Sequence, residues 1–132
     1  MIIKNYEILK IDTKKYRNIL LHGENQGLKD EIISNIFKKN FKDSTYSYEE
    51  SEIIKNKENF YNTILTKSFF ENEKLIIILR ATDKIKEIIQ GIIEKKNDDL
   101  TLVINSNLLE KKSKLRNFFE KDKRLISIAL YE

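Results

Sequence analysis

The sequence predicts an α/β domain built on a five-stranded, mainly parallel sheet. Two runs, Leu75–Leu79 and Leu100–Ile104, are apolar at nearly every position, whereas a strand with one wet face alternates polar and apolar residues. Both strands are therefore expected to be covered on two faces. Amphipathic segments separate the apolar runs along the chain, and this alternation is typical of a doubly wound sheet with crossover helices.

The N-terminal half is expected to begin with a short helix over Ile2–Lys10 at the edge of the domain. Asn18–Gly23 is the first predicted strand, because its apolar residues are contiguous and a glycine ends them. Apolar residues at helical spacing predict an amphipathic helix over Leu28–Lys39. A second strand, Ser44–Tyr48, and a helix over Lys57–Thr66 are expected to follow.

The C-terminal half contains the central strand, Lys74–Leu79. Asp83 is expected to be the N-cap of the next helix, which has isoleucines along one side. Leu100–Ile104 is predicted as a buried strand, Leu109–Lys121 as an amphipathic helix, and Leu125–Leu130 as the last strand.

The composition is that of one soluble domain. The chain has 132 residues, of which 40% are hydrophobic and 35% charged, so disorder is not expected. It has no cysteine and a single histidine, His22, which excludes disulfides and multi-histidine metal sites. Because no apolar run reaches the roughly 20 residues of a membrane span and no signal peptide is recognisable, we expect a cytoplasmic protein without a membrane partner.

The loop after the first strand has a partial phosphate-binding pattern. Gly23 and Lys29 are spaced like the first glycine and the lysine of G-x-x-x-x-G-K-[ST], whose backbone N–H groups and lysine hold phosphates. Leu28 replaces the second glycine, Asp30 replaces the hydroxyl residue, and Gly27 lies one position early. A plain strand-to-helix turn is favoured over a nucleotide site, although both interpretations stay open.

The residues at the strand ends do not form a catalytic set. A P-loop ATPase needs acids after the central strand to hold magnesium and polarise water, but Arg80, Ala81 and Thr82 follow it here. A flavodoxin-like receiver domain would need acids where His22 and Arg80 stand. We therefore expect no catalytic residue, no metal and no cofactor.

One combination of stretches is more specific than any of these motifs. It comprises I-L-L-H-G-E-N-Q-G-L (19–28), S-F-F-E-N-E-K-L-I-I-I-L-R-A-T-D-K-I (68–85), L-T-L-V-I-N-S-N-L-L-E-K-K-S-K-L (100–115) and L-I-S-I-A-L-Y (125–131). In order and spacing these stretches resemble the N-terminal domain of the delta subunits of bacterial DNA polymerase III, which are clamp-loader proteins. The resemblance implies a three-layer P-loop NTPase fold of the AAA+ type with degenerate nucleotide motifs and no bound ATP.

The resemblance also implies a clamp-binding segment. Ser68, Phe69 and Phe70, flanked by Thr66 and Lys67, match a hydrophobic wedge that inserts into the beta sliding clamp. The family commonly has Leu then Phe, so Phe69 is a bulkier first anchor. Aromatic anchors in pockets dominate interface energetics, which makes this role plausible on physical grounds. The alternative is that one Phe belongs to the core and the other is exposed without a function.

The implied function is to open the clamp for loading onto primed DNA, while sister subunits hydrolyse ATP. The partners would be the beta clamp and the gamma/tau and delta prime subunits, with DNA met only indirectly. The family continues into a helical lid and a collar, so the chain is expected to be a fragment that ends before them. An alternative is a P-loop ATP-binding enzyme with an unusual loop.

The last predicted helix is rich in lysine. Lys111, Lys112, Lys114 and Arg116 could face DNA and contact its phosphates. A solvated helix face is favoured, because charges on amphipathic helices usually face solvent. The net charge of +4 is only a weak indication of a nucleic-acid partner.

Overall fold

A computed structural model describes residues 1–41, 44–67, 73–95 and 99–132, without the side chains of residues 65–67. Its strands are β1 (Ile2–Ile3), β2 (Asn18–His22), β3 (Thr45–Glu49), β4 (Lys74–Leu79), β5 (Leu100–Asn105) and β6 (Ile126–Ala129). They form one sheet in the order β1-β6-β2-β5-β4-β3, and every pair of neighbours is parallel.

Helices connect these strands on both faces of the sheet. The α-helices are α1 (Gln26–Ile32), α2 (Glu50–Lys55), α3 (Lys57–Lys67), α4 (Lys86–Glu94) and α5 (Lys114–Lys121). Three short 3-10 segments cover Asn5–Lys10, Lys38–Asn40 and Asp83–Ile85, and a π-helical turn covers Ile33–Phe37.

The central strands are buried on both sides, as their unbroken apolar runs predict. Ile76 and Ile78 of β4 pack in the cluster that includes residues of α3, α4 and α5. Leu75 and Ile77 of the same strand pack in a second cluster with residues of α1 and of the π-helical turn. Since successive side chains of a strand point to opposite faces, the sheet is the middle layer of three.

The α/β class is confirmed. The predicted count of five strands is not, because the sheet has six strands in the part of the chain described, and all are parallel. The extra strand corrects the helix predicted over Ile2–Lys10. Ile2 lies opposite Ser127 on the edge of β6, and only Asn5–Lys10 coils, as a 3-10 helix. Two β-branched residues beside an open strand edge gain more from pairing than from starting a helix.

Several helix bounds also differ from prediction. The helix predicted over Leu28–Lys39 begins earlier, because the Asn25 side chain accepts a hydrogen bond from the Leu28 N–H at 3.1 Å, and it becomes π-helical after Ile32. The helix predicted over Leu109–Lys121 starts only at α5, where Ser113 is the N-cap. Residues 50–55 form α2, a separate helix that the sequence did not reveal.

The prediction that Asp83 is the N-cap of the helical segment after it is wrong. Thr82 occupies that position, and its hydroxyl accepts a hydrogen bond from the Lys84 N–H at 3.3 Å. The Asp83 carboxylate instead accepts hydrogen bonds from the Ser113 hydroxyl at 2.6 Å and from the Leu115 N–H at 3.1 Å. Asp83 therefore caps α5, an element that lies about thirty residues further along the chain.

Candidate functional site

The expected clamp-binding residues Ser68, Phe69 and Phe70 lie outside the described residues. Thr66 and Lys67, which flank them, belong to the last turn of α3. This segment therefore joins the end of α3 to the start of β4, the central strand of the predicted core. Its role in binding stays a prediction.

Helix α3, which precedes this segment, is docked on its neighbours by aromatic side chains. The Tyr61 hydroxyl donates a hydrogen bond to the Ile88 carbonyl of α4 at 3.1 Å. Gly91 of α4 lies under the same hydroxyl, since a Cβ at that position would be 3.1 Å from it. Phe60 packs edge-on against Tyr48 of β3, with 5.1 Å between the ring centroids. Helix α3 is thus held on two sides.

Lys74 is a structural residue that the sequence placed at the start of the central strand without a role for its side chain. Its side chain is fully buried, and the Nζ donates a hydrogen bond to the Ile64 carbonyl of α3. The alternation of side chains along β4 could have revealed that Lys74 is buried. Lys74 shares a strand face with Ile76 and Ile78, which face the helices on that side.

Backbone N–H groups of the loop that resembles a phosphate-binding motif donate hydrogen bonds to other segments of the chain. The Gly23 N–H donates to the Asn107 carbonyl and the Asn25 N–H to the Leu130 carbonyl, both at 3.0 Å. Gly23 has φ +120°, and a Cβ there would stand 2.2 Å from the Leu130 oxygen. Glycine is required here by a close chain crossing. Gly27 lies in the first turn of α1, where a Cβ would meet nothing closer than 3.9 Å.

The side chain of Lys29 also lies in the protein interior. It is fully buried, and its Nζ donates to the Ser106 carbonyl at 2.7 Å. Burial lowers the pKa of Lys29, against the nearby charges of Asp30 and Glu24. Gly23 and Lys29 therefore tie the loop to the segments after β5 and β6, which favours the interpretation of the loop as a turn.

The carboxyl ends of the strands border a small cavity. A cavity of about 110 Å³ lies there, and it is lined by Gln26, Leu79, Arg80, Asn105 and Asn107. Small-molecule sites usually measure about 300–1,000 Å³. Arg80 adopts a positive φ of 53°, and its guanidinium forms an ion pair with Glu49. Its charge is therefore already compensated.

His22 is buried at the end of β2. Burial, followed by the charges of Arg116 and Lys29, lowers its pKa to about 4, against the opposing effect of Glu120. The ring is therefore neutral at neutral pH. It meets the Tyr131 ring edge-on, with 6.2 Å between centroids, and this placement fits a structural role.

The lysine-rich region divides into two parts. Lys111, Lys112 and Lys114 are exposed. Arg116 is half-buried, and its guanidinium donates to Glu120 at 3.0 Å and to the Leu109 carbonyl at 2.9 Å. The guanidinium of Arg116 is thus held by hydrogen bonds within the chain, whereas the side chains of the three lysines reach solvent.

A groove of about 620 Å³ runs beside α5. Its lining consists of Lys86, Lys112, Lys114, Asn117, Phe118, Lys121 and Asp122. Lys86 Nζ lies 5.3 Å from the centroid of the Phe118 ring. Hydrogen bonds from Arg124 hold the pKa of Asp122 at about 2, and its charge is compensated by that arginine. Four lysines thus line the groove, and two of them have acidic partners, Lys86 with Glu87 at 4.0 Å and Lys112 with Glu110 at 3.6 Å.

Two further classes of site were sought in the part of the chain that the structure describes. Across residues 1–41, 44–67, 73–95 and 99–132, no three His, Cys, Asp or Glu side chains are grouped to hold a metal ion. Among these same residues, no helix has the length and apolar character needed to cross a membrane.

Comparison with known proteins identifies the family. No curated protein matches the sequence significantly. The profile of the family described as "DNA polymerase III, delta subunit" matches residues 20–129, from β2 to the end of β6. Because this match spans most of the chain, the protein belongs to the DNA polymerase III delta-subunit family, whose members are replication proteins of the clamp-loader complex.

Proposed function

We propose that this chain binds the beta sliding clamp of DNA polymerase III and favours its open ring during loading onto primed DNA. The observation that carries the proposal is the family match, whose residues 20–129 include the whole segment from Thr66 to Phe70. Other loader subunits, gamma/tau and delta prime, are the further partners that this role requires.

Phe69 and Phe70 are the proposed anchors on the clamp. Each aromatic ring can bury about 150–250 Å² in a pocket. The helix that leads to them is docked on its neighbours by Tyr61 and Phe60, which supports a fixed starting point for the segment. We therefore expect these two side chains to contribute most of the binding energy.

In this proposal the clamp opens because the protein prefers one of two states of the ring, open or closed. A protein shifts such an equilibrium only by the difference between its affinities for the two states. The proposal therefore requires tighter binding to an open clamp than to a closed one. No reaction by this chain is needed, and ATP hydrolysis is assigned to sister subunits.

An AAA+ ancestry without nucleotide binding is part of the same proposal. Hydrogen bonds to internal carbonyl groups from Gly23, Asn25 and Lys29 support it. A bound phosphate would need these same N–H and ammonium donors. The alternative, a P-loop ATP-binding enzyme, requires measurable affinity for Mg-ATP at physiological concentration. Isothermal titration with Mg-ATP separates the two functions.

The decisive experiment measures binding of the chain to its cognate beta clamp by surface plasmon resonance. We expect Phe69→Ala/Phe70→Ala to weaken binding at least about 30-fold, since losing a hot-spot anchor costs about 2 kcal/mol or more. Tyr6→Ala/Leu9→Ala is the matched control, because it removes two exposed apolar side chains from another part of the surface, 66% and 81% exposed. The control should bind like the wild type.

Circular dichroism checks that both variants are folded. If the folded Phe69→Ala/Phe70→Ala variant binds as tightly as the wild type, the clamp contact lies elsewhere and the assigned residues are wrong. If the wild type itself does not bind, the proposed function of this chain fails.

A further inference from the structure

Two grooves meet at the start of α5 and form one continuous surface. The groove of about 620 Å³ beside α5 adjoins a second groove of about 630 Å³, because both are lined by Lys112 and Lys114. We call this surface the lysine groove. It is defined by one exposed leucine and five lysines: Leu108, Lys84, Lys86, Lys112, Lys114 and Lys121.

The lining of these grooves includes three acidic residues. The Asp83 carboxylate accepts hydrogen bonds from two backbone N–H groups of α5, both at 3.1 Å. The Asp122 carboxylate accepts a hydrogen bond from the Arg124 guanidinium at 2.7 Å. The third residue, Glu110, is exposed. Two of the three carboxylates are therefore already bound by other groups of the chain.

The ammonium groups of the lysine groove differ in their partners. Two of them form ion pairs, one with Glu87 at 4.0 Å and one with Glu110 at 3.6 Å. Among the residues that the structure describes, the other three lysines form no ion pair: Lys84, Lys114 and Lys121. An ion pair between exposed side chains contributes little, so the carboxylates of a partner can replace it. The groove therefore fits a ligand that carries several negative charges.

Leu108 adds an apolar side chain on a fixed backbone, and this side chain is 63% exposed. The Asn107 carbonyl before it accepts a hydrogen bond from the Gly23 N–H at 3.0 Å. The Leu109 carbonyl after it accepts one from the Arg116 guanidinium at 2.9 Å. Because its backbone is held on both sides, Leu108 loses little conformational freedom when a partner covers it.

Phe118 and Leu108 together favour a protein ligand over a single-stranded nucleic acid. Bases bind to proteins by stacking on open aromatic faces. The ammonium group of Lys86 lies over the half-buried Phe118 ring, 5.3 Å from its centroid, and the Phe119 ring meets it edge-on at 5.7 Å. The Phe118 ring is thus engaged within the protein. Leu108 is aliphatic, and an apolar side chain of a protein partner would remove it from water.

We infer that the lysine groove binds an acidic segment of a partner protein. Carboxylates of the segment meet Lys84, Lys114 and Lys121, and an apolar side chain beside them covers Leu108. Complementary charge steers the segment to the groove and fixes its register. The inference goes beyond the proposed function and is independent of it, because none of the residues that define the groove belongs to Thr66–Phe70.

The test measures the binding of three fluorescent probes to the chain by anisotropy. The first probe is a peptide capped at both ends, D-E-D-L-F-D-E-D, which combines carboxylates with two apolar side chains. We expect it to bind with a Kd of about 100 µM or tighter, and added salt to weaken the binding. The second probe, D-E-D-S-S-D-E-D, has the same charge and should bind about threefold or more weakly. The third probe is an oligothymidylate of equal charge, which should bind more weakly than the first peptide.

Lys114→Gln/Lys121→Gln removes two ammonium groups from the groove. We expect it to weaken binding of the first peptide about fivefold, because two charge contacts are lost. Lys38→Gln/Lys39→Gln is the matched control, since both lysines are exposed in a separate segment and the change of charge is the same. The control should change the Kd by less than about twofold.

Leu108→Ser tests the apolar contact. It should weaken binding of the first peptide about threefold and leave binding of the serine peptide nearly unchanged, because both changes remove the same contact. Leu9→Ser is its control, since Leu9 is 81% exposed in another segment, and it should bind both peptides like the wild type. Circular dichroism verifies that the variants are folded, and Lys84→Gln/Lys121→Gln replaces the first lysine pair if that variant is not.

Four results would overturn the inference. The first two are that the folded wild type does not bind the first peptide, and that the folded lysine variants bind it as tightly as the wild type. The third is equal binding of the two peptides, which would leave no apolar contact. The fourth is tighter binding of the oligothymidylate through the same lysines, which would make the ligand a nucleic acid. Clamp binding by the wild type is measured separately, so the proposed function does not depend on these results.

Discussion

Gly23 shows how a single residue can resemble a ligand site and serve the fold instead. Its positive φ and the crossing of Leu130 leave no space for a side chain. We expect Gly23→Ala to lower the free energy of unfolding by about 2 kcal/mol or more, through backbone strain and the clash. Gly27→Ala, in the open first turn of α1, should raise it by up to about 1 kcal/mol, because alanine favours helix.

Urea unfolding monitored by circular dichroism measures both glycine variants. Equal effects at the two positions would contradict a tight crossing at Gly23. The pair also bears on the phosphate-type motif, because it separates the glycine that the fold requires from the one that it tolerates.

At the scale of elements, helix α5 takes part of its N-terminal cap from another element. Burial alone would raise the pKa of Asp83, but hydrogen bonds from Ser113, Leu115 and Lys114 hold it below its usual value. We expect Asp83→Asn to lower the free energy of unfolding by about 1–2 kcal/mol, because a charged acceptor is lost from three donors. Urea unfolding measures the change.

Asp30→Asn is the matched control for Asp83→Asn. Asp30 is exposed, and its carboxylate accepts a hydrogen bond at 2.8 Å from the side chain of Gln26 in its own helix. Its replacement should change the free energy of unfolding by less than about 0.5 kcal/mol. A loss at Asp30 as large as that at Asp83 would mean that the cap on α5 contributes nothing specific.

On the scale of the whole molecule, the charge distribution allows the two interpretations of the lysine-rich region, a DNA-facing surface and a solvated face, to be tested. The formal net charge is +4, and Lys86, Lys112, Lys114 and Lys121 line one groove. If this groove meets DNA phosphates, Lys112→Gln/Lys114→Gln should weaken binding to primed DNA. It should also reduce the slope of log K against log salt by about 1 for each lost phosphate contact.

Fluorescence anisotropy at several salt concentrations measures this slope. Lys38→Gln/Lys39→Gln is the control, because both lysines are exposed in the 3-10 turn Lys38–Asn40 and the change of charge is the same. Equal slopes for the two double variants would assign the lysines of α5 to a solvated face, which the sequence favoured.

Much of the architecture was predictable from local pattern. Strand β4 begins and ends where its apolar run predicted, and the parallel, doubly covered sheet follows from two such runs. The pairing of Ile2 with Ser127 and the capping of α5 by Asp83 were not predictable, because each joins residues that are far apart in sequence. Local propensity contains no information about such partners.

The candidate site divides in a similar way. Phe69 and Phe70 were assigned by resemblance to a family, and the match over residues 20–129 confirms that family while their role stays a prediction. The role of the Lys74 side chain was not recognised, because the residue type alone does not show which backbone group will approach it. Its burial depends on the approach of Ile64 from α3, a contact that forms only when the helix packs on the sheet.

Composition, periodicity and motif order were enough to predict the layered α/β class, the family and the lack of cysteine chemistry, because these properties can be read along the chain. The partners of the polar groups, by contrast, become visible only in the folded protein. Gly23, Lys29 and Lys74 have the residue types of a phosphate loop or a charged turn, yet all three are buried against backbone carbonyl groups of other segments. A polar group acts according to the partners that remain once water is excluded, and folding alone selects those partners.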